Sequence, residues 1–305
     1  MQLATLNNPF PSFVEDLTLV LLGTGTPRSF PGRGKAGVAV LAGNKTFVVD
    51  CGGGTVDRLL DAGIAPQRVD TVFFTHHHSD HNSGFFDLFI SSWRTHVTVE
   101  SVFEGRQVPF QVYGPTGTRT IIGSQYASFA YDIALRVGFN RSAEQGADIE
   151  YQENDFGVVF DREGLRVTAF PVDHRPVTPA VGYKFEYQGK SAVISGDTVP
   201  VRALVDQARG ADLLIHEAYN KEWLDELIRL HPDQTAGLAK PASYHSTTLE
   251  AAQQARNAGV THLVLTHHIP GPAETTEAQN DYVRGMDSIF RGKITVGRDR
   301  MRFVL

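Results

Sequence analysis

The segment Thr75-His76-His77-His78-Ser79-Asp80-His81 carries the spacing H-x-H-x-D-H. That density decides the chemistry. Cationic imidazoles so close together would repel one another, whereas neutral imidazoles beside a carboxylate are ordinary ligands of zinc-like ions. On a loop, His76 and His78 can point to one place while Asp80 and His81 turn toward a second.

Three further ligand-type side chains each follow an apolar, strand-forming run. His174 comes after Val167–Pro171, Asp197 after Ala192–Ile194 and Ser195-Gly196, and His267 after His262–Thr266. Any one of them alone reads as a surface residue or a satisfied core group. Together they repeat one pattern, a strand that ends on a ligand.

The elements that must position them are short. Leu17–Leu22 reads as a buried strand running into the turn Gly23-Thr24-Gly25-Thr26-Pro27. Val38–Leu41 and Thr46–Val49 read as a hairpin, followed by a helix over Thr55–Ala62. Val69–Phe74 is a strand that delivers the histidine cluster at its carboxyl end, where open α/β sheets place their sites. Residues 83–160 are less regular and read as an insertion walling the site, with a helix over Ser124–Val137. Strands resume at Leu165–Phe170, Ala180–Tyr187, Ser191–Ile194, Leu213–Ile215 and His262–Leu265, with helices of about 199–209, 221–230 and 247–258 between them. The pattern predicts one α/β domain over 1–305, made of two halves, about 1–165 and 166–305.

At 305 residues, with 41% apolar and 20% charged, the chain has material for a sizeable core and is not a disordered polymer. One cysteine, Cys51, excludes an internal disulfide framework and a four-cysteine zinc site. No run of about 18 apolar residues predicts a membrane span. The amino terminus shows no basic-then-apolar leader, so the expected compartment is the cytoplasm. The net charge of −6, without a basic run, argues against a nucleic-acid partner.

With these residues in view, the chain resembles the metallo-β-lactamase-fold hydrolases over nearly its whole length, from Leu22-Gly23-Thr24-Gly25 to Leu265-Thr266-His267. Within them it is similar to the RNase Z and metal-dependent arylsulfatase branch, through Asp50-Cys51-Gly52-Gly53-Gly54, His216-Glu217-Ala218 and His245-Ser246-Thr247. The resemblance implies a four-layer αββα sandwich holding two Zn²⁺, with Mn or Fe able to use the same ligands. His76, His78 and His174 would hold one metal, Asp80, His81 and His267 the other, and Asp197 would bridge. His77 and His268 would support their loops. The resemblance also implies a homodimer.

Two divalent ions, two carboxylates and a bridging hydroxide leave one net positive charge, suited to an anionic group or a developing oxyanion. Metal-assisted hydrolysis of an ester follows. His245, Asp80 and Glu217 are the candidate catalytic side chains. His245 would be proton donor or oxyanion partner, on the resemblance, and Glu217 would orient it. Thr247 and Glu250 fit a capping box that opens a helix beside it. Cys51 reads as part of a tight turn rather than as a nucleophile.

For the substrate, only 23 residues separate His174 from Asp197, where RNase Z relatives insert a tRNA-gripping arm. The sequence after the last ligand, His268-Ile269-Pro270-Gly271-Pro272, also departs from the RNase Z ending. The aromatics Phe85, Phe86, Phe89 and Trp93 suit an aryl leaving group, although 86, 89 and 93 also fall at helical spacing. The expectation is hydrolysis of a small-molecule ester, an aryl sulfate first, with a carboxylesterase or lactonase and then an RNase Z-like phosphodiesterase as alternatives. A non-catalytic metal-binding protein fits poorly, because every ligand position and His245 are present.

Overall fold

A near-continuous apolar run makes Leu17–Leu22 a strand buried on both faces: Leu19, Val20, Leu21 and Leu22 are all fully buried. The computed structural model describes residues 14–97, 102–139, 143–153 and 156–305. These divide into two compact units. The first takes the described residues up to Gly23, those of 31–154, and Asp299–Val304; the second takes Thr24–Phe30 and the described residues of 155–298.

The first unit is built from β1 (Val14–Gly23), β2 (Gly37–Gly43), β3 (Lys45–Val49), α1 (Thr55–Asp61), β4 (Val69–Phe73), α2 (Ser79–Asn82) and α3 (Phe85–Trp93). A small ribbon follows, β5 (His96–Val97) with β6 (Val102–Phe103), and then β7 (Phe110–Gly114), α4 (Thr118–Ser128), α5 (Ala130–Gly138) and β8 (Ile149–Glu153). Residues 83–160 therefore contribute two strands, β7 and β8, to the sheet itself. The expected single helix over 124–137 is instead two helices, beginning at Thr118 and broken at Phe129. There the Phe129 ring stacks on Phe86 with centroids 3.6 Å apart, a tertiary contact that overrides local propensity.

The second unit contains β9 (Gly157–Arg162), β10 (Leu165–Pro171), β11 (Val181–Tyr187), β12 (Lys190–Ile194), α6 (Arg202–Gln207), β13 (Leu213–Tyr219), α7 (Lys221–Leu230) and α8 (Thr235–Ala239). It continues with α9 (Thr248–Ala258), β14 (His262–Ile269), α10 (Thr276–Tyr282), α11 (Met286–Ile289) and β15 (Lys293–Val296). Finally β16 (Arg302–Val304) pairs with β1 in the first unit's sheet.

Each sheet has seven strands, ordered β16-β1-β2-β3-β4-β7-β8 in one and β15-β14-β13-β12-β11-β10-β9 in the other. Both change character at the same place. β16 to β3 pair antiparallel, as do β9 to β12; from β3 through β8, and from β12 through β15, every pairing is parallel. Thus β3 in one sheet holds the place of β12 in the other, and β4 the place of β13. β4 and β12, where the parallel pairing begins, lead into His76–His81 and Asp197, whereas His174 follows the antiparallel β10 and His267 lies within β14.

Each unit has its own apolar core. Val48, Val72, Phe74, Phe85, Phe89 and Trp93 belong to the first, and Val193, Leu214, Ala251, Ala255, Leu263 and Tyr282 to the second. Fully burying one such Val, Leu or Phe contributes about 1.5–3 kcal/mol relative to exposure. The predicted capping box is present: Thr247 accepts from the Glu250 amide while the Glu250 carboxylate accepts from the Thr247 amide. Gly259, at φ 65°, ends that helix in the left-handed region. Among the described residues, no helix is long and apolar enough to cross a membrane.

Candidate functional site

In the first unit, the site is built outward from Asp50. This residue ends β3 at φ 55°, and its carboxylate is buried. One oxygen accepts the Thr75 amide at 2.8 Å; the other accepts the Thr75 hydroxyl at 2.7 Å and faces His81 Nδ1 at 2.8 Å. A carboxylate only accepts, so the imidazole proton of His81 sits on Nδ1. The Thr75 hydroxyl has spent its one hydrogen on Asp50. It therefore accepts from His76 Nδ1 at 3.0 Å. Asp50 thus sets both tautomers, one directly and one through Thr75, and leaves Nε2 of His76 and of His81 as the lone-pair nitrogens.

Those nitrogens point at further ligand-type atoms. His76 Nε2 lies 3.1 Å from His78 Nδ1, and His81 Nε2 lies 3.7 Å from Asp80 Oδ2. His77 turns away from its neighbours: its Nε2 meets the Thr118 hydroxyl at 3.0 Å, and that hydroxyl donates to the Pro115 carbonyl at 2.7 Å. Burial pushes the His77 pKa down, so the ring is neutral and acts as a strut between loops.

The glycines beside Asp50 are there for close approach. A Cβ on Gly52 would sit 2.1 Å from the Asp80 carbonyl oxygen, and one on Gly84 would sit 2.2 Å from that of Gly52. The Cys51 amide donates to the His81 carbonyl at 2.7 Å in the same turn. Cys51 itself is fully buried, and burial drives its thiol pKa far up, which keeps it protonated and poor as a nucleophile.

The second unit repeats the logic around Asp197. His174 Nδ1 donates to the Tyr244 carbonyl at 2.9 Å, so its Nε2 is the lone-pair nitrogen; it faces Asp197 Oδ2 at 3.8 Å. Burial is the largest influence on His174 and lowers its pKa, favouring the neutral ring that a metal needs. His267 Nε2 is 3.4 Å from the same Asp197 oxygen. A β-bulge explains how. In the β13–β14 register Glu217 pairs with Thr266 and Ala218 with His268, so His267 is the unpaired extra residue, at φ 48°. The bulge turns His267 toward Asp197, while His268 donates to the Gly297 carbonyl at 2.9 Å.

His245 closes this cluster. Its Nδ1 lies 3.1 Å from Glu217 Oε1 and 4.0 Å from Asp197 Oδ2. Glu217 Oε1 also accepts the amides of Thr198 and Ser246, each at 3.0 Å. That one carboxylate oxygen ties the Asp197 loop to the His245 loop. Behind it, buried His216 is held between the Glu217 carbonyl at 2.5 Å and the Gln254 amide at 3.0 Å. Asp197, His245 and His267 each offer one ligand atom within 4.8 Å of the others.

In both units, then, an imidazole turns its Nε2 toward a carboxylate oxygen beyond hydrogen-bond range: His81 toward Asp80, His174 toward Asp197. Two acceptors facing one another in a buried site call for a cation, and the nitrogen and oxygen donors suit a divalent ion. Asp50, Thr75 and Tyr244 were not among the predicted site residues. Asp50 carried a readable signal: it too follows an apolar strand, as Asp197 does.

The predicted aromatic wall is corrected. Phe85, Phe89 and Trp93 lie along one face of α3 at 0–2% exposure and belong to the first unit's core, with Phe89 and Phe110 also packed under the Arg106 guanidinium. These three rings are consumed by core packing, and the fourth predicted ring, Phe86, is partly buried with one face stacked on Phe129.

A family model described as a β-lactamase superfamily domain matches residues 45–268. The Ribonuclease Z of Mycobacterium marinum is 36% identical over 287 residues, covering 94% of this chain and 98% of that protein. The Ribonuclease Z of Mycobacterium bovis is 35% identical over 286 residues, covering 94% and 97%. Among solved structures, a metallo-β-lactamase-fold protein of Bacillus subtilis superposes with a TM-score of 0.69 at 16% identity, covering 95% of this chain and all of that one. The short form of human tRNase Z superposes with a TM-score of 0.64 at 24% identity, covering 94% and 98%.

These relatives overturn two expectations. The relatives are named as ribonucleases, so the aryl sulfate reading and the exclusion of a nucleic-acid partner both fall. The physical errors are distinct. A net charge of −6 sums the whole surface, whereas phosphate contacts depend on a local patch. The short β11–β12 hairpin between His174 and Asp197 does leave no room for an arm there, but an arm at one place is not a requirement for holding RNA. The chain belongs to the β-lactamase superfamily, on its RNase Z-like branch, as a metal-dependent hydrolase.

Proposed function

We propose that this protein hydrolyses a phosphodiester bond in RNA, with tRNA as the first RNA to test. The observation that carries the reading is the 36% identity to a Ribonuclease Z over 94% of this chain and 98% of that one. The short human tRNase Z, covered to 98%, is a weaker support that concerns the fold. Buried, free Cys51 fits a reducing compartment such as the cytoplasm.

In this reading His76, His78 and His174 hold one divalent ion, Asp80, His81 and His267 hold the other, and Asp197 is shared; zinc is the preferred occupant. Bound there, the ions supply Lewis acidity toward the phosphate oxygens and acidify a water molecule. The remaining work belongs to side chains. Asp50 and the Tyr244 carbonyl keep the proton of their histidines on Nδ1, so the donor nitrogens stay aimed. His245 is the proton donor to the leaving oxygen rather than a ligand, because its Nδ1, the nitrogen facing Asp197, is already engaged by Glu217. Glu217 stabilises the charged form of that imidazole and holds its ring in place.

The test is cleavage of labelled tRNA carrying a 3′ extension by metal-loaded protein, beside bis(4-nitrophenyl) phosphate. Site-specific release of the extension supports the reading. Hydrolysis of the small phosphodiester with intact tRNA at every concentration would remove 3′-extended tRNA as the substrate.

A further inference from the structure

Tyr244 stands where the short turn Lys240–Ser243 meets His245, and its backbone and its ring do different jobs. The carbonyl accepts from His174 Nδ1 at 2.9 Å. The ring meets His174 edge-on, centroids 5.1 Å apart at 86°, and lies 4.9 Å from the ring of His245 at 52°. One phenol ring therefore touches both a predicted metal ligand and the predicted proton donor.

Its surroundings are not those of a packing tyrosine. Tyr282, buried in the second unit's core, donates its hydroxyl to the Ala218 carbonyl at 2.8 Å, as buried tyrosines do. Tyr244 is only half-buried, and its hydroxyl bonds to no described residue. An aromatic side chain is thus left partly exposed beside the two histidines assigned to metal binding and proton donation.

We infer that Tyr244 is a specificity-determining residue on which a nucleobase adjoining the scissile phosphate stacks. The inference rests on the RNA reading above. A nucleotide whose phosphate reaches His174 and His245 brings its base within reach of the ring, and every base has a face that stacks on an aromatic one. Stacking of this kind tolerates any base, which suits a site that reads position rather than sequence.

The chain's own geometry makes the test clean, because a side-chain change at 244 leaves the carbonyl bond to His174 in place. Y244F and Y244L would be compared with the wild-type enzyme, metal-loaded, on RNA that is intact or abasic at the nucleotides flanking the cut. Metal content serves as the control. In parallel, 2-aminopurine at the same positions reports stacking in chelator-treated protein, without turnover. The expected result is that Y244L lowers kcat/KM roughly tenfold on intact RNA but leaves the abasic substrate unchanged, and abolishes the 2-aminopurine quenching, while Y244F matches wild type. Equal losses on both substrates, or no loss on either, would overturn the inference while leaving RNA cleavage standing. Wild-type enzyme that neither cuts nor binds either RNA would overturn the RNA reading and this inference with it.

Discussion

Asp50 Oδ2 lies 2.8 Å from His81 Nδ1, and this contact leaves the other imidazole nitrogen of His81 facing Asp80. Asp50 occupies, at the end of β3, the sheet position that Asp197 occupies after β12 in the second unit. One carboxylate faces the Nε2 atoms of two histidines, His174 and His267; its counterpart holds the protons that aim two others, His81 and, through Thr75, His76.

Asp50→Asn should therefore weaken metal binding by about 10–100-fold, the usual cost of losing an outer partner of a metal-binding histidine. Asn can still accept the Thr75 amide, but its NH₂ group confronts the His81 Nδ1 hydrogen and favours the wrong tautomer. Metal retained after dialysis against graded chelator checks this, and wild-type retention would show that the tautomer is held by something else.

His245→Ala should leave the metal content unchanged and reduce turnover by about 10²–10⁴-fold, the range for loss of a general acid. Parallel metal analysis and single-turnover cleavage separate the two effects. Loss of one metal equivalent would instead make His245 a ligand in the set with Asp197 and His267.

Gly52→Ala should destabilise the fold by about 1–3 kcal/mol, since the new methyl would meet the Asp80 carbonyl oxygen at 2.1 Å and the Lys35 Cβ at 2.6 Å. Gly237→Ala is the matched control. Nothing lies within 4 Å of a Cβ there, and the site is inside α8, so the change should be neutral or stabilising by up to about 1 kcal/mol. Urea midpoints of the two variants give the comparison.

Acid should destabilise the protein in a window set partly by His262. Burial, aided by the Lys293 ammonium, lowers its pKa from 6.5 to about 4. The unfolded chain then binds a proton that the folded one refuses, so the contribution of this site is complete above pH 6.5 and is lost as pH falls toward 4. His174, His216 and His77 are shifted the same way by burial. His262→Gln should reduce the difference between urea midpoints at pH 7 and pH 4.5 without abolishing it. An unchanged difference would assign the acid sensitivity to the other histidines.

Much of this was legible along the chain because it is local. Strand, turn and ligand follow one another at 69–81 and 190–197, and the Thr247–Glu250 box is written in four residues. The boundaries of β2, β3, α1 and α7 follow from alternation, helical spacing and glycine. The break at Phe129 was not legible, because the ring that stacks on it belongs to Phe86.

Order along the chain was enough to predict a divalent metal on histidines and aspartates and to name the superfamily, since residue type and spacing are properties of sequence. Tautomer, aim and neighbourhood were decided only in the folded molecule. His267 rather than His268 faces Asp197 because a bulge, visible only against β13, turns one residue out of the ladder. Tyr244 reaches His174 across 70 positions of sequence. The aromatics of α3 could have lined a site or filled a core at the same spacing, and only the sheet they pack against determined which.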